Sequence, residues 1–306
     1  MQITLPPEGL YLHLGAHRTG TGSFQEFLAS NEDAFADMGI NLAVANRDGL
    51  SPGSLRLRLP DARHFRRGEL EERAVLRDEA LSEARVNRRA RTLISEENIP
   101  GSFNAIFADA PYRAARERMG FLKAALARPV RRVVFVTRSY DSFYPSAYRK
   151  RCEFRKIAPF SDYAPRFLAA ARGWPELIAD IQAALASESL VVLRYEDRPD
   201  HAGLLRALMP ELSQEGLTPL ARRYNVSASD AACHAIQAGF SADPGQTARQ
   251  VRALIRAHAE DRSAPPIAAF TPEEVGVLRE RYSRDLEVVA AMPGVRLVTA
   301  PQPAAG

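Results

Sequence analysis

Apolar and polar positions alternate over residues 10–15, LYLHLG, and a glycine closes the run, which predicts a strand. The period then changes. From about Ser23 to Met38, Phe24, Phe27, Leu28 and Phe35 recur on one helical face, and Gly39 stands where a helix-ending glycine belongs. INLAVA (40–45) predicts a second strand and RTLISEE (91–97) a third, broken by NIPG. A helix is predicted over about 111–128. RRVVFVTR (131–138) then reads as a buried strand, its apolar run typical of parallel sheets. Residues 140–152 read as a helix despite Pro145, with further helices near 162–171 and 175–187 and another buried strand in SLVVLRYED (189–197). From 200 onward the pattern is mainly helical, with a last strand in GVRLVTA (294–300). Residues 46–91 are polar and arginine-rich, which suits loops and a helix over one end of a sheet.

Strands alternating with helices predict an α/β fold, a parallel central sheet flanked by helices. No internal repeat or long linker interrupts the chain. It therefore reads as one domain over 1–306, with a core over 8–200 and a helical extension, 201–306, packed on it. Such sheets bind ligands at the carboxyl ends of their strands. That rule gathers Gly15 to Gly22, Glu96, Glu97, Arg138 and Tyr195 along one edge.

Composition narrows the ligand. With 46% apolar and 25% charged residues, the 306-residue chain has the make-up of an ordinary globular protein. Its net charge of +4 suits anionic ligands, but no basic–aromatic pattern marks a nucleic-acid partner. Almost all the positive charge is arginine; the lysines are Lys123, Lys150 and Lys156. Cys152 and Cys233 form no C-x-x-C pair and belong to no zinc-spaced cluster, so both read as reduced thiols. The N-terminal residues lack the features of a signal peptide, and no apolar run reaches the length of a membrane span. These features predict a cytoplasmic protein. Oligomeric state leaves no trace in the sequence.

The strand–helix junction YLHLGAHRTGTGSFQEFL, from Tyr11, carries the candidate chemistry. Gly15 and Gly20 have the separation of a G-x-x-x-x-G-K-[ST] phosphate loop, but Thr21 and Gly22 follow where lysine would stand. The loop's fixed cation is Arg18. A glycine-rich turn into a helix presents backbone N–H groups at the positive end of the helix dipole. Gly20, Thr21, Gly22 and Ser23 supply such groups. An ATP or GTP enzyme also needs a carboxylate for Mg²⁺, often at the end of an apolar strand. The strand VVFVT ends in Arg138 instead, so the pattern suits an anion held without a metal.

These residues resemble the sulfotransferase family, which uses 3′-phosphoadenosine 5′-phosphosulfate (PAPS). The family's K-[ST]-G-T-T loop is similar to RTGTG, Arg18 to Gly22, with arginine for lysine and Gly22 for the second threonine. Its 3′-phosphate element, an Arg at a strand end and a Ser eight positions on, is similar to Arg138 and Ser146. Tyr195 in VVLRYED matches a tyrosine that the family often has near the nucleotide, and LISEEN resembles the S-x-E strand end of bacterial members. RYNVSAS (223–229) and LRERYSRDLEVV (278–289) are similar to their C-terminal part.

The resemblance implies transfer of a sulfuryl group to a hydroxyl or amine of a small-molecule or saccharide acceptor, with release of adenosine 3′,5′-bisphosphate (PAP) and no metal. Arg18, Thr19, Gly20, Thr21, Gly22, Ser23, Arg138, Ser146 and Tyr195 would bind the nucleotide. Arg18 would also stabilise the leaving phosphate. Strand alternation lets only one of Glu96 and Glu97 face the cleft, and the resemblance to the S-x-E strand end, with Ser95 and Glu97 in register, favours Glu97 as the base; His17, inside the loop, is the competitor. Two other readings stand beside this one: a kinase using ATP and Mg²⁺, and a nucleotide or polyanion binder without catalysis.

Overall fold

The structure is a computed structural model that describes residues 5–45, 53–197, 200–220 and 227–299. Along the chain run β1 (Gly9–His13), α1 (Thr21–Ser30), α2 (Glu32–Asp37), β2 (Ile40–Val44), α3 (Ala62–Arg67), α4 (Glu71–Glu83) and β3 (Arg91–Ser95). A 3₁₀ turn, Phe103–Phe107, leads to α5 (Ala115–Lys123), β4 (Val130–Thr137), α6 (Tyr140–Cys152), α7 (Phe160–Leu168), α8 (Trp174–Leu185) and β5 (Ser189–Arg194). The remainder is α9 (His201–Leu208), α10 (Asp230–Ala242), α11 (Ala248–Ala257), α12 (Pro272–Ala290) and β6 (Val295–Val298). Residues 46–52 of the arginine-rich segment, 223–226 of RYNVSAS and Ala300 of the last predicted strand lie outside the described residues.

The six strands form one sheet in the order β2-β3-β1-β4-β5-β6, and every neighbouring pair is parallel. This is the predicted α/β architecture. Parallel direction puts the carboxyl ends of all six strands on one edge, and β1 is central. Alternation divides its side chains between two layers. Tyr11, Val134, Val136, Val191 and Leu193 meet Phe24, Phe27, Leu28, Phe35, Leu204 and Leu208 from α1, α2 and α9. On the opposite side Phe135 packs against Trp174 at the start of α8, with ring centroids 5.8 Å apart.

The chain divides into two compact units. The first takes residues through Arg138, Arg172–Tyr224 and Arg284 onward, and so holds the sheet; the second takes Ser139–Ala171 and Asn225–Ser283. Within the second unit, Tyr144 stacks on Phe167 at 4.1 Å, and Arg149 grips Asp230 with two hydrogen bonds of 2.9 and 3.0 Å. Cys152 and Cys233 are free and buried there.

Several elements differ from their predicted bounds. The helix predicted over 23–38 is two helices, because Asn31 ends one and starts the next. Its side-chain amide donates to the carbonyls of Phe27 (2.8 Å) and Thr218 (3.0 Å) and accepts from the Thr218 N–H (2.7 Å). The helix predicted over 111–128 is shorter at both ends, and Tyr112 stands before it with φ 55°. Strands three and five stop at Ser95 and Arg194, short of the acidic residues that follow each.

Asn31 is buried, and removing its amide leaves the Thr218 backbone groups without partners. Asn31→Ala is expected to cost about 2–3 kcal/mol, read by denaturant unfolding.

Candidate functional site

The site grows from the carboxyl end of β1. The chain keeps its ladder with β4 past His13, through Leu14 N–H to Val134 O (3.1 Å) and Ala16 N–H to Val136 O (2.9 Å). It then turns within four residues into α1. Two left-handed residues make the turn, Arg18 at φ 63° and Gly20 at φ 84°. Gly20 costs nothing there, whereas Arg18 carries a penalty of about 1–2 kcal/mol. Gly15 is also left-handed, and a Cβ on it would lie 2.7 Å from the Glu97 Cβ. The loop therefore presses directly on the end of β3.

Both loop threonines are buried and turned inward. Thr19 Oγ1 donates to the Ala16 carbonyl at 2.6 Å and Thr21 Oγ1 to the same oxygen at 3.2 Å. In this structure their protons close the loop. The donors a helix entry of this kind presents to an anion are then the first-turn amides. Ser23 Oγ lies 2.9 Å from His201 Nε2, and the His201 ring stacks on Phe27 at 5.5 Å.

Arg138, just past β4, locks the loop from the other side. Its Nη1 donates to the Arg18 carbonyl at 2.7 Å, and its guanidinium carbon sits 4.4 Å from the centre of the Tyr195 ring. That is cation–π distance. Tyr195 comes into place because its N–H donates to Thr137 O at 2.7 Å, extending the β4–β5 ladder by one step. The indole N–H of Trp174 donates to the Arg138 carbonyl at 2.9 Å. The structure thus brings together Arg18, Arg138 and Tyr195, which lie far apart in sequence. Ser146 belongs to the second unit, buried on α6.

The acidic pair at the end of β3 is split. Glu96 is buried and accepts from the Asn98 N–H at 2.7 Å. Glu97 is half-buried beside Gly15 and accepts from Gln25 Nε2 at 3.0 Å; Gln25 also donates to Ser95 O. His17 is buried, with Nδ1 2.9 Å from the Tyr112 hydroxyl and Nε2 2.9 Å from Asn98 Oδ1. If Nε2 donates to the Asn98 oxygen, the Tyr112 hydroxyl donates to Nδ1. That makes a neutral ring with both nitrogens engaged.

Behind this network lies Arg118, which is 5% exposed. It donates to the carbonyls of Leu59 (3.1 Å), Ile99 (3.2 Å), Asn98 (2.6 Å) and Pro60. Burial pulls its pKa down to about 10, against the opposing pull of Asp61 and Glu96. It remains charged at neutral pH.

Sequence reasoning did not single out Gln25, Asn98, Tyr112, Arg118 or His201. Only Arg118 left a signal: it falls on the buried stripe of α5 with Ala115, Met119 and Leu122, an arginine at a core position. Among the described residues, no group of three or more His, Cys, Asp or Glu could hold a metal ion, and no helix is long and apolar enough to cross a membrane. No protein-family model and no curated protein matches the chain.

Two substitutions test the loop. Gly15→Ala combines a left-handed backbone with a collision against Glu97, and is expected to cost about 2–4 kcal/mol in unfolding free energy. At position 18, Arg18→Gly should be about 1 kcal/mol more stable than Arg18→Ala, because only glycine adopts the conformation without strain. Equal midpoints for these two variants would show that Arg18 is not held left-handed.

Proposed function

We propose that this chain is a sulfotransferase, moving a sulfuryl group from PAPS to a hydroxyl or amine and releasing PAP. The observation that carries the reading is the arginine at the carboxyl end of β4. Arg138 rests on Tyr195 and bonds the Arg18 carbonyl, so a fixed cation stands beside the loop where a metal-dependent nucleotide enzyme would often carry a carboxylate. The nearby Asp197 is paired with Arg194 at 3.0 Å.

The residues present fit a nucleotide with phosphates at both ends. The amides of Gly20, Thr21 and Gly22 would receive the 5′-phosphosulfate at the helix entry, whereas the Ser23 N–H already donates to the Gly20 carbonyl at 3.1 Å. Arg138 would meet the 3′-phosphate, and Tyr195 would hold that guanidinium in place. The nucleotide supplies the sulfuryl group and a stable leaving group. Arg18, a permanent cation, stabilises the charge left on the 5′-phosphate as the sulfur–oxygen bridge breaks.

Glu97 is the better base. As the acceptor oxygen bonds to sulfur, its proton passes to a carboxylate, which has lone pairs beyond the one used by Gln25. His17 would first have to release Tyr112 or Asn98. It fits the role of positioning residue, fixing the turn before Arg18. A kinase reading retains one support: Glu97 is also the carboxylate that such an enzyme would use for Mg²⁺ beside the loop.

The test is thermal stabilisation by PAP, by ATP with Mg²⁺ and by 5′-AMP. A ligand at 100 times its Kd adds about 2.7 kcal/mol to native stability. The expected result is a shift with PAP that Arg138→Ala abolishes, and little with 5′-AMP. A shift with ATP and Mg²⁺ but none with PAP would replace the sulfotransferase by the kinase.

A further inference from the structure

Beside the His17 network the first unit contains a cavity of about 230 Å³. Its lining includes Tyr112 and Arg118 together with Asp61, Arg63, Arg66 and Arg113. Tyr112 connects it to the loop, since the ring forms part of the wall while the hydroxyl bonds His17, the neighbour of Arg18. The ring lies close against the backbone of Gly101, where an added Cβ would come within 2.7 Å of it. Tyr112 holds this position with φ 55°, a conformation that costs a non-glycine residue about 1–2 kcal/mol.

The charges around the cavity are unequal. Arg118 is committed to four carbonyls. Asp61 is committed as the cap of α3, accepting from the N–H groups of Arg63 (2.8 Å) and His64 (3.2 Å) and from the His64 ring. Arg63, Arg66 and Arg113 are exposed, and among the described residues no carboxylate pairs with any of them within 4.0 Å. The planar fork of arginine matches a carboxylate or sulfate with two parallel hydrogen bonds. The volume is below the range of about 300–1,000 Å³ typical of drug-sized ligands. It suits one sugar ring or a smaller molecule.

We infer that this cavity binds a small molecule bearing an acid group, with the acid toward Arg63, Arg66 and Arg113 and the rest of the molecule toward Tyr112 and the loop. On the sulfotransferase reading, on which this one step rests, that molecule is the acceptor, and the cavity meets the loop through Tyr112, whose hydroxyl bonds His17. Acid binding itself does not depend on that reading. The cavity also gives Arg63 and Arg66, two arginines of the 46–91 segment, a chemical role.

The test compares glucuronate with glucose, its neutral counterpart, by calorimetric titration of the full chain. Arg63→Ala/Arg113→Ala and Arg138→Ala are titrated in parallel, with the PAP-induced thermal shift measured on each. The arginines at 63 and 113 are exposed, and the double variant is expected to keep the parent's melting temperature. Glucuronate should bind at least tenfold tighter than glucose, and the double variant should lose that preference while keeping its PAP shift. Arg138→Ala should keep glucuronate and lose PAP. Equal affinity for the two sugars, or no binding of either, overturns the inference. So does loss of glucuronate in Arg138→Ala alone, which would put the acid on the loop. If acid binding depends on Arg63 and Arg113 but PAP never shifts the melting temperature, the acid site stands and the sulfotransferase reading falls.

Discussion

The Ala16 carbonyl is the point on which the site closes. Its own N–H is fixed to β4, so the oxygen cannot move without disturbing the sheet. Thr19 and Thr21 both donate to it, folding the residues between them into a turn around one atom. The chain leaves a buried central strand and starts a helix almost at once, so the helix's first amides lie at the carboxyl edge of the sheet. Each hydroxyl bond contributes only about 1 kcal/mol, but the protein makes both where water is excluded, so losing one leaves a buried polar group unpaired.

Arginines supply the fixed positive charge around this turn, and each is held differently. Arg138 combines a hydrogen bond to the loop with an aromatic face, so its charge has a set position. Arg118 is spent on structure, tying 59–60 to 98–99 through carbonyls. Its folded pKa of about 10 lies below the usual arginine value. Its charge is therefore a cost to the folded state at neutral pH, relieved only as pH rises above 10, and the carbonyl bonds offset that cost. The neighbouring carboxylates Asp61 and Glu96 act in the same direction as those bonds.

Strands were the legible part of the chain. Apolar runs such as VVFV and LVVL are buried on both faces, and nothing but a central parallel strand explains them. Boundaries were less legible, because distant partners set them. Phe35 continues the helical period of α1, so periodicity alone runs through Asn31; the interruption comes from a loop at Thr218 that the local pattern does not contain. The same holds for the site. Arg138 and Tyr195 announced themselves by standing at strand ends, and Arg18 as the cation of the glycine-rich loop. Asn98, Tyr112 and His201 have ordinary local surroundings and gain their places through residues 81, 95 and 178 positions away.

Strain points to the same place as charge. Among the described residues four non-glycine residues are left-handed: Arg18, Arg85, Tyr112 and Ala186. Two of them meet at His17, Arg18 as its chain neighbour and Tyr112 as its hydrogen-bond partner. Glycine at either position would remove about 1 kcal/mol of strain. At position 18 glycine would discard the loop's only cation, and at 112 it would discard both the cavity wall and the hydroxyl that orients His17. The side chains therefore outweigh the backbone cost at both positions. Strain is thus kept at adjoining points of one hydrogen-bonded network. Here it joins the β1–α1 turn to the arginine-lined cavity through a single tyrosine.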